Sequence, residues 1–107
     1  MAEPSADSAL IPGVPPEVSA RLLALLTAEP AVQQVWLYGS RAMGRHRPGS
    51  DIDLTLVAPG LRHEDRLRLM AALDDLLLPW SIDLSLYHEL PDSLREHVER
   101  VGRRMAP

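Results

Sequence analysis

The chain has no cysteine, so disulfides and thiolate metal sites are excluded and any bound metal must be held by oxygen or imidazole. Phenylalanine is absent too and aromatics reach only 4%, so a core has to be built from Leu, Val, Ile and Ala. There is no lysine: all eleven basic residues are arginine. That composition favours bidentate contact with carboxylate or phosphate over a diffuse cationic coat, and codon bias would produce it equally well. A net charge of -4 argues against a general nucleic-acid-binding surface, although a sum over the chain can hide a local basic patch. No segment approaches a membrane-spanning length, and the first residues lack a basic start followed by an apolar run. The expectation is a soluble cytoplasmic protein that binds neither DNA nor membrane.

What is present is an ordinary globular balance, 46% hydrophobic and 24% charged over 107 residues. That length allows one core but not a catalytic domain plus a separate substrate domain, so a large second substrate must meet a surface this chain only partly supplies. Residues 1–14 mix Ala, Ser, Pro and acidic residues without periodicity and read as a flexible tail, leaving residues 15–107 as a single domain.

Pro15 and Pro16 open a helix with Glu17 in its first turn, and Val18, Leu22, Leu25 and Leu26 follow one face up to Pro30. Val32 to Tyr38 has the composition of a strand, broken by Gly39-Ser40. Ser40 is placed to cap a short helix through Met43, with Gly44 to Ser50 an arginine-bearing loop. From Asp51 to Val57 the alternation is clean: Asp51, Asp53 and Thr55 face one way and Ile52, Leu54 and Leu56 the other. A helix from about His63 to Leu77 carries Leu69, Met70, Leu73, Leu76 and Leu77 on one side. Trp80 to Tyr87 repeats the strand division, with Ile82, Leu84 and Leu86 opposite Ser81, Asp83, Ser85 and Tyr87. A last helix from about Pro91 to Val101 presents Leu90, Leu94, Val98 and Val101, and Arg103-Arg104-Met105 forms a short edge strand or a frayed end. This order predicts an α/β (α+β) fold: a small mixed sheet of three to four strands, helices on its Ile/Leu face, and the carboxylate face left as an open cleft.

If Gly39-Ser40 and Asp51 share a site, the first two strands run antiparallel, and the helical crossover then lays Asp83 in parallel beside Asp53. Three convergent carboxylates repel one another, and hard divalent cations relieve that repulsion. Mg²⁺ takes one or two carboxylates and completes its shell with water and phosphate oxygens, so a nucleotide fits. Gly39 lets the backbone approach phosphate, Ser40 adds a hydroxyl, and Arg41 and Arg45 can reach phosphate oxygens. Ser50 shapes the turn before Asp51 and is a further candidate contact. Such a site suits in-line attack of an acceptor oxygen on phosphorus between two metals, with Asp83 drawing off the acceptor's proton. Arg47 reads as solvated, and Trp36 and Trp80 as core or rim anchors. Tyr87 is a lesser candidate for base stacking, and the scattered His46, His63, His88 and His97 read as surface residues.

Gly39-Ser40-Arg41-Ala42 and Ser50-Asp51-Ile52-Asp53-Leu54, with Ile82-Asp83-Leu84 as third carboxylate, resemble the signature of the DNA polymerase beta-like nucleotidyltransferase superfamily. Among its members the chain looks most like the minimal nucleotidyltransferase (MNT) domains of prokaryotes. Met43 departs from the pattern, which often has a basic residue there and so a further phosphate contact. The resemblance implies Mg²⁺-dependent transfer of a nucleoside monophosphate from a triphosphate to a hydroxyl, with Asp51, Asp53 and Asp83 as metal ligands. It also implies an antitoxin paired with a helical HEPN-type toxin, some such domains attaching AMP from ATP to a toxin tyrosine. Two other readings stand beside that one: a binding module that neutralises its partner by contact alone, and transfer to a small molecule such as an aminoglycoside, which calls for an additional helical domain.

Overall fold

The computed structural model describes residues 11–107. Four strands, β1 (Gln34–Tyr38), β2 (Ile52–Val57), β3 (Ile82–Leu86) and β4 (Arg103–Ala106), form one sheet in the order β3-β2-β1-β4. β1 runs antiparallel to both β2 and β4, whereas β2 and β3 are parallel and joined through helix α3 (His63–Asp74). A parallel pair needs such a crossover, so this one connection fixes which residues of β2 and β3 lie side by side. Helices α1 (Pro16–Thr27), α2 (Gly39–Ala42) and α4 (Asp92–Val101) complete the chain. The mixed sheet and α/β class are those predicted, and the C-terminal segment pairs as an edge strand.

Ile52, Leu54 and Leu56 of β2, Leu84 and Leu86 of β3, and Val35 and Leu37 of β1 are fully buried against Leu22 and Leu26 of α1 and Leu69 and Leu73 of α3. Each such side chain contributes roughly 1.5–3 kcal/mol on burial, which makes this face the main source of stability. α3 ends earlier than its apolar pattern predicted. Its last helical residue is Asp74, and Leu77 lies beyond it at φ +54° with 88% of its surface exposed.

Helix α4 departs from the expected one-sided cover. The apolar face was inferred from β2 and β3, where the opposite side carries Asp53, Thr55, Asp83 and Ser85. On β1 that same side carries Trp36 and Tyr38, which stand opposite Thr55 and Asp53 in the antiparallel register. Two aromatic rings need a lid, and Val98 of α4 with Leu90 supplies it in a second small cluster that includes Tyr87. The carboxylate face is therefore covered by α4 over β1 and buried at Thr55 of β2, while Asp83 on β3 stays exposed. Leu94, expected on the packed side of α4, is 39% exposed.

The tail boundary expected at Val14 also moves. Ile11 and Val14 are buried in the main core, the Ile11 N–H donates to Ser19 Oγ at 3.1 Å, and the Val14 N–H closes a turn on the Ile11 carbonyl at 3.0 Å. Residues 11–14 are thus a strap of the folded unit, while residues 1–10 lie outside the described part. Proline and glycine hid this, because they interrupt any periodicity. Ile11→Ala is expected to lower the free energy of unfolding by about 2–4 kcal/mol in urea denaturation. A loss under about 0.5 kcal/mol would return the strap to the tail.

Candidate active site

The parallel register pairs Asp53 with Asp83, and the antiparallel register pairs Asp53 with Tyr38. Neighbouring strands lie about 4.8 Å apart, so Tyr38, Asp53 and Asp83 form a row across three strands at the end of the sheet where β1 stops and β2 begins. Asp51 stands exposed one residue before β2. The sheet thus brings two of the three expected carboxylates, Asp53 and Asp83, side by side, with Asp51 just outside it.

The Asp53 carboxyl is pushed up to about 6, first by burial and then by the charges of Asp83 and Asp51, with Arg41 pulling the other way. Burial raises the Tyr38 phenol; a Ser85 hydrogen bond opposes this, and the charges of Asp83 and Asp53 add to it. Among the described residues no three acidic or histidine side chains converge into a ready-made metal cage. The donor set nonetheless suits a hard divalent cation: it offers only oxygen, carries excess negative charge, and is open to solvent at Asp51 and Asp83.

Gly39 closes the site from the β1 side. Its φ of +75° is left-handed, and a Cβ built on it would run into Oδ2 of Asp53, so both backbone and packing require glycine here. The Gly39 N–H donates to Nε2 of His97 on α4 at 3.3 Å, and the His97 ring stands edge-on to Tyr38 at a centroid distance of 6.2 Å. His97 is therefore not the bare surface residue expected. Its only sequence signal was its place immediately before the core residue Val98.

Arg41 is the main correction. Rather than reaching out to phosphate it is fully buried, and its guanidinium donates inward: Nη1 to the Pro12 carbonyl at 2.6 Å, Nη2 and Nε to the Ser50 carbonyl at 2.8 and 3.2 Å, and Nη2 to the Pro48 carbonyl at 3.4 Å. One side chain thereby ties the N-terminal strap to the loop ahead of β2, and Arg is suited to it because its planar fork spans several acceptors. Trp80 Nε1 holds the same loop from outside through the Pro48 carbonyl at 3.2 Å.

Ser50 takes up its turn role, accepting the Arg47 N–H on Oγ at 2.8 Å. Ser40 lies inside α2 rather than capping it, because Tyr38 is the residue that precedes the helix, and its side chain remains partly exposed beside Gly39. Arg45 is exposed, so its guanidinium is available to solvent in the loop after the turn, as is that of Arg47. Tyr87 falls in a short 3-10 turn (Tyr87–Glu89) after β3, where its hydroxyl donates to Glu99 and its ring packs under α4, so it is not free to stack on a base as supposed.

A glycine turn at a strand end, with an Asp-x-Asp strand beside it and a third Asp on the parallel neighbour, is the arrangement of a nucleotidyltransferase site. The family model described as polymerase beta, nucleotidyltransferase matches residues 21–106, and the chain belongs to that family. Over 68 residues it is 34% identical to a Haemophilus influenzae protein named as a probable protein adenylyltransferase, MntA, covering 63% of this chain. The match takes in 60% of the MntA length, so the chain spans under two thirds of that relative. A toxin–antitoxin crystal structure with AMP-PNP is similar at a TM-score of 0.70 and 26% identity, over 80% of this chain and 70% of that one. The fold is also shared with a chain of the tri-AMPylated Shewanella oneidensis HEPN toxin in complex with MNT antitoxin, at a TM-score of 0.66 and 23% identity over 83% and 69% of the two chains.

Removing the Arg41 guanidinium takes the donor from the Pro12 and Ser50 carbonyls and leaves Pro48 with Trp80 alone, so Arg41→Ala is expected to lower unfolding free energy by about 3 kcal/mol or more. Arg45→Ala should stay within about 0.5 kcal/mol of the parent in the same denaturation series. An Arg41→Ala protein of unchanged stability but impaired MgATP binding would restore Arg41 to the phosphate role.

Proposed function

We propose that the protein is a Mg²⁺-dependent adenylyltransferase that moves AMP from ATP to a tyrosine hydroxyl of a cognate HEPN-type toxin and thereby acts as its antitoxin. The single observation that carries this is the row made by Gly39, Asp53 and Asp83: a glycine turn packed directly on one carboxylate, with a second carboxylate in register beside it. Support for the acceptor and the base comes from the relatives, one named for protein adenylylation and one crystallised as a toxin–antitoxin with AMP-PNP.

In this reading Asp51, Asp53 and Asp83 would hold one or two Mg²⁺ ions, which would supply positive charge to offset that of the phosphates. Gly39 lets the triphosphate approach the backbone, Ser40 offers its hydroxyl, and Arg45 answers phosphate charge from solvent. Asp83 accepts the proton of the acceptor hydroxyl. The acceptor oxygen bonds to the α-phosphorus as the bond to the pyrophosphate oxygen breaks, so the products are an AMP-tyrosine ester and pyrophosphate. The exposed side of the row, at Asp51 and Asp83, is where the acceptor has to enter. No helix among the described residues is long and apolar enough to cross a membrane.

The test combines the protein with Mg²⁺, ATP labelled at the α-phosphate, and its toxin. Label should pass to the toxin, and Asp53→Ala should reduce it by about 10³-fold or more, as loss of a ligand in a metal-dependent transfer does. Absence of label with both proteins folded would sink the reading. If Asp51→Asn/Asp53→Asn still protects cells, neutralisation works by contact and transfer is dispensable.

A further inference from the structure

We infer that His97 is a positioning residue for this site: through Nε2 it holds the Gly39 amide, and with it the Gly39-Ser40 turn, at a fixed place against the Asp53 carboxylate. The inference rests on the nucleotide-transfer reading only for its consequence, not for the contact itself.

Gly39 is where the backbone leaves the sheet. β1 ends at Tyr38 and the next residue turns left-handed, so the Gly39 amide lies past the last strand residue and needs another partner. That partner comes from 58 residues further along the chain, the imidazole of His97 at 3.3 Å. Three things fix the ring. Val98, its neighbour, is 2% exposed and anchors α4 to the sheet. The Tyr38 ring supports it edge-on, at an interplanar angle of 80°. Accepting from an N–H also requires Nε2 to be the bare nitrogen, which places the ring proton on Nδ1.

On its other side Gly39 has no slack either, because the space a side chain would take is filled by Oδ2 of Asp53. The turn is therefore held between a carboxylate on β2 and an imidazole on α4. A shift of about 1 Å in a positioning element can lower a transfer rate by about 10²-fold, so losing the imidazole acceptor should be felt at the nucleotide without touching a carboxylate. Glutamine can present a side-chain oxygen close to where Nε2 sits, whereas alanine cannot.

The experiment compares the ligand-free parent, His97→Ala and His97→Gln by hydrogen exchange at the Gly39 amide, and then titrates each with MgATP. The expected result is a protected Gly39 amide in the parent and in His97→Gln, and exchange about tenfold faster or more in His97→Ala, a loss of about 1.4 kcal/mol of local protection. MgATP affinity and single-turnover rate should fall about tenfold in His97→Ala and recover in His97→Gln, with similar melting temperatures for the two variants. Equal Gly39 exchange in parent and His97→Ala would overturn the inference. So would a glutamine variant as impaired as alanine, which would assign the effect to ring packing on Tyr38. A parent that binds no MgATP defeats the transfer reading instead, while the Gly39 exchange still decides whether His97 holds the turn.

Discussion

The carboxylates of Asp53 and Asp83 repel one another, and the sheet does not let them separate. Asp53 and Asp83 are locked side by side by the parallel register, itself set by the α3 crossover and by the burial of Ile52, Leu54, Leu84 and Leu86 on the reverse face. The main core thus supplies the stability that holds like charges together, and the Asp53 carboxyl is raised first by its burial there and then by the charges of Asp83 and Asp51. Its consequence for folding has a definite sign. The folded carboxyl titrates at about 6 against an ordinary 3.8, so the stability linked to Asp53 is fully present below the ordinary value and is lost as pH rises through about 6. At neutral pH the ligand-free site opposes the fold, which is the relation expected where charge has been arranged for a ligand.

The rest of the site is built inward from that row. Gly39 rests on Asp53, His97 holds Gly39, Tyr38 supports His97, and α4 lies across both aromatic residues of β1. Arg41 does the same work on the far side of the turn, drawing the strap at Pro12 and the loop at Pro48 and Ser50 onto one buried guanidinium. The arginine next to the Gly-Ser pair therefore shapes the loop that delivers Asp51 to β2. Arg45, in the loop that follows, keeps its charge toward solvent.

Period-two and helical patterning were enough to read the element order, because that follows from which residues must be buried; the antiparallel β1–β2 pair came from supposing that Gly39-Ser40 and Asp51 share a site, and the parallel β2–β3 pair, with the meeting of Asp53 and Asp83, from the helical crossover. What escaped the pattern depended on contacts between distant segments. Ile11 and Val14 are too few and too interrupted by Pro12 and Gly13 to show a period. Arg41 beside Gly-Ser has the same composition whether it points at phosphate or at three carbonyls. The cover of α4 over the carboxylate face was signalled only by Trp36 and Tyr38, whose side of β1 becomes clear once the register is known. His97 gave no chemical signal of its own.

The most direct test of this account is the titration of the Asp53 carboxyl carbon by NMR in the ligand-free protein and again with Mg²⁺ and a non-hydrolysable ATP analogue. The predicted result is a midpoint near about 6 in the free protein. With Mg²⁺ and nucleotide the midpoint should fall below about 4, because bound positive charge favours the carboxylate. A free-protein midpoint at the ordinary 3.8, or one that Mg²⁺ and nucleotide leave unmoved, would contradict the claim that burial and neighbouring charge disfavour the Asp53 carboxylate until a ligand offsets them.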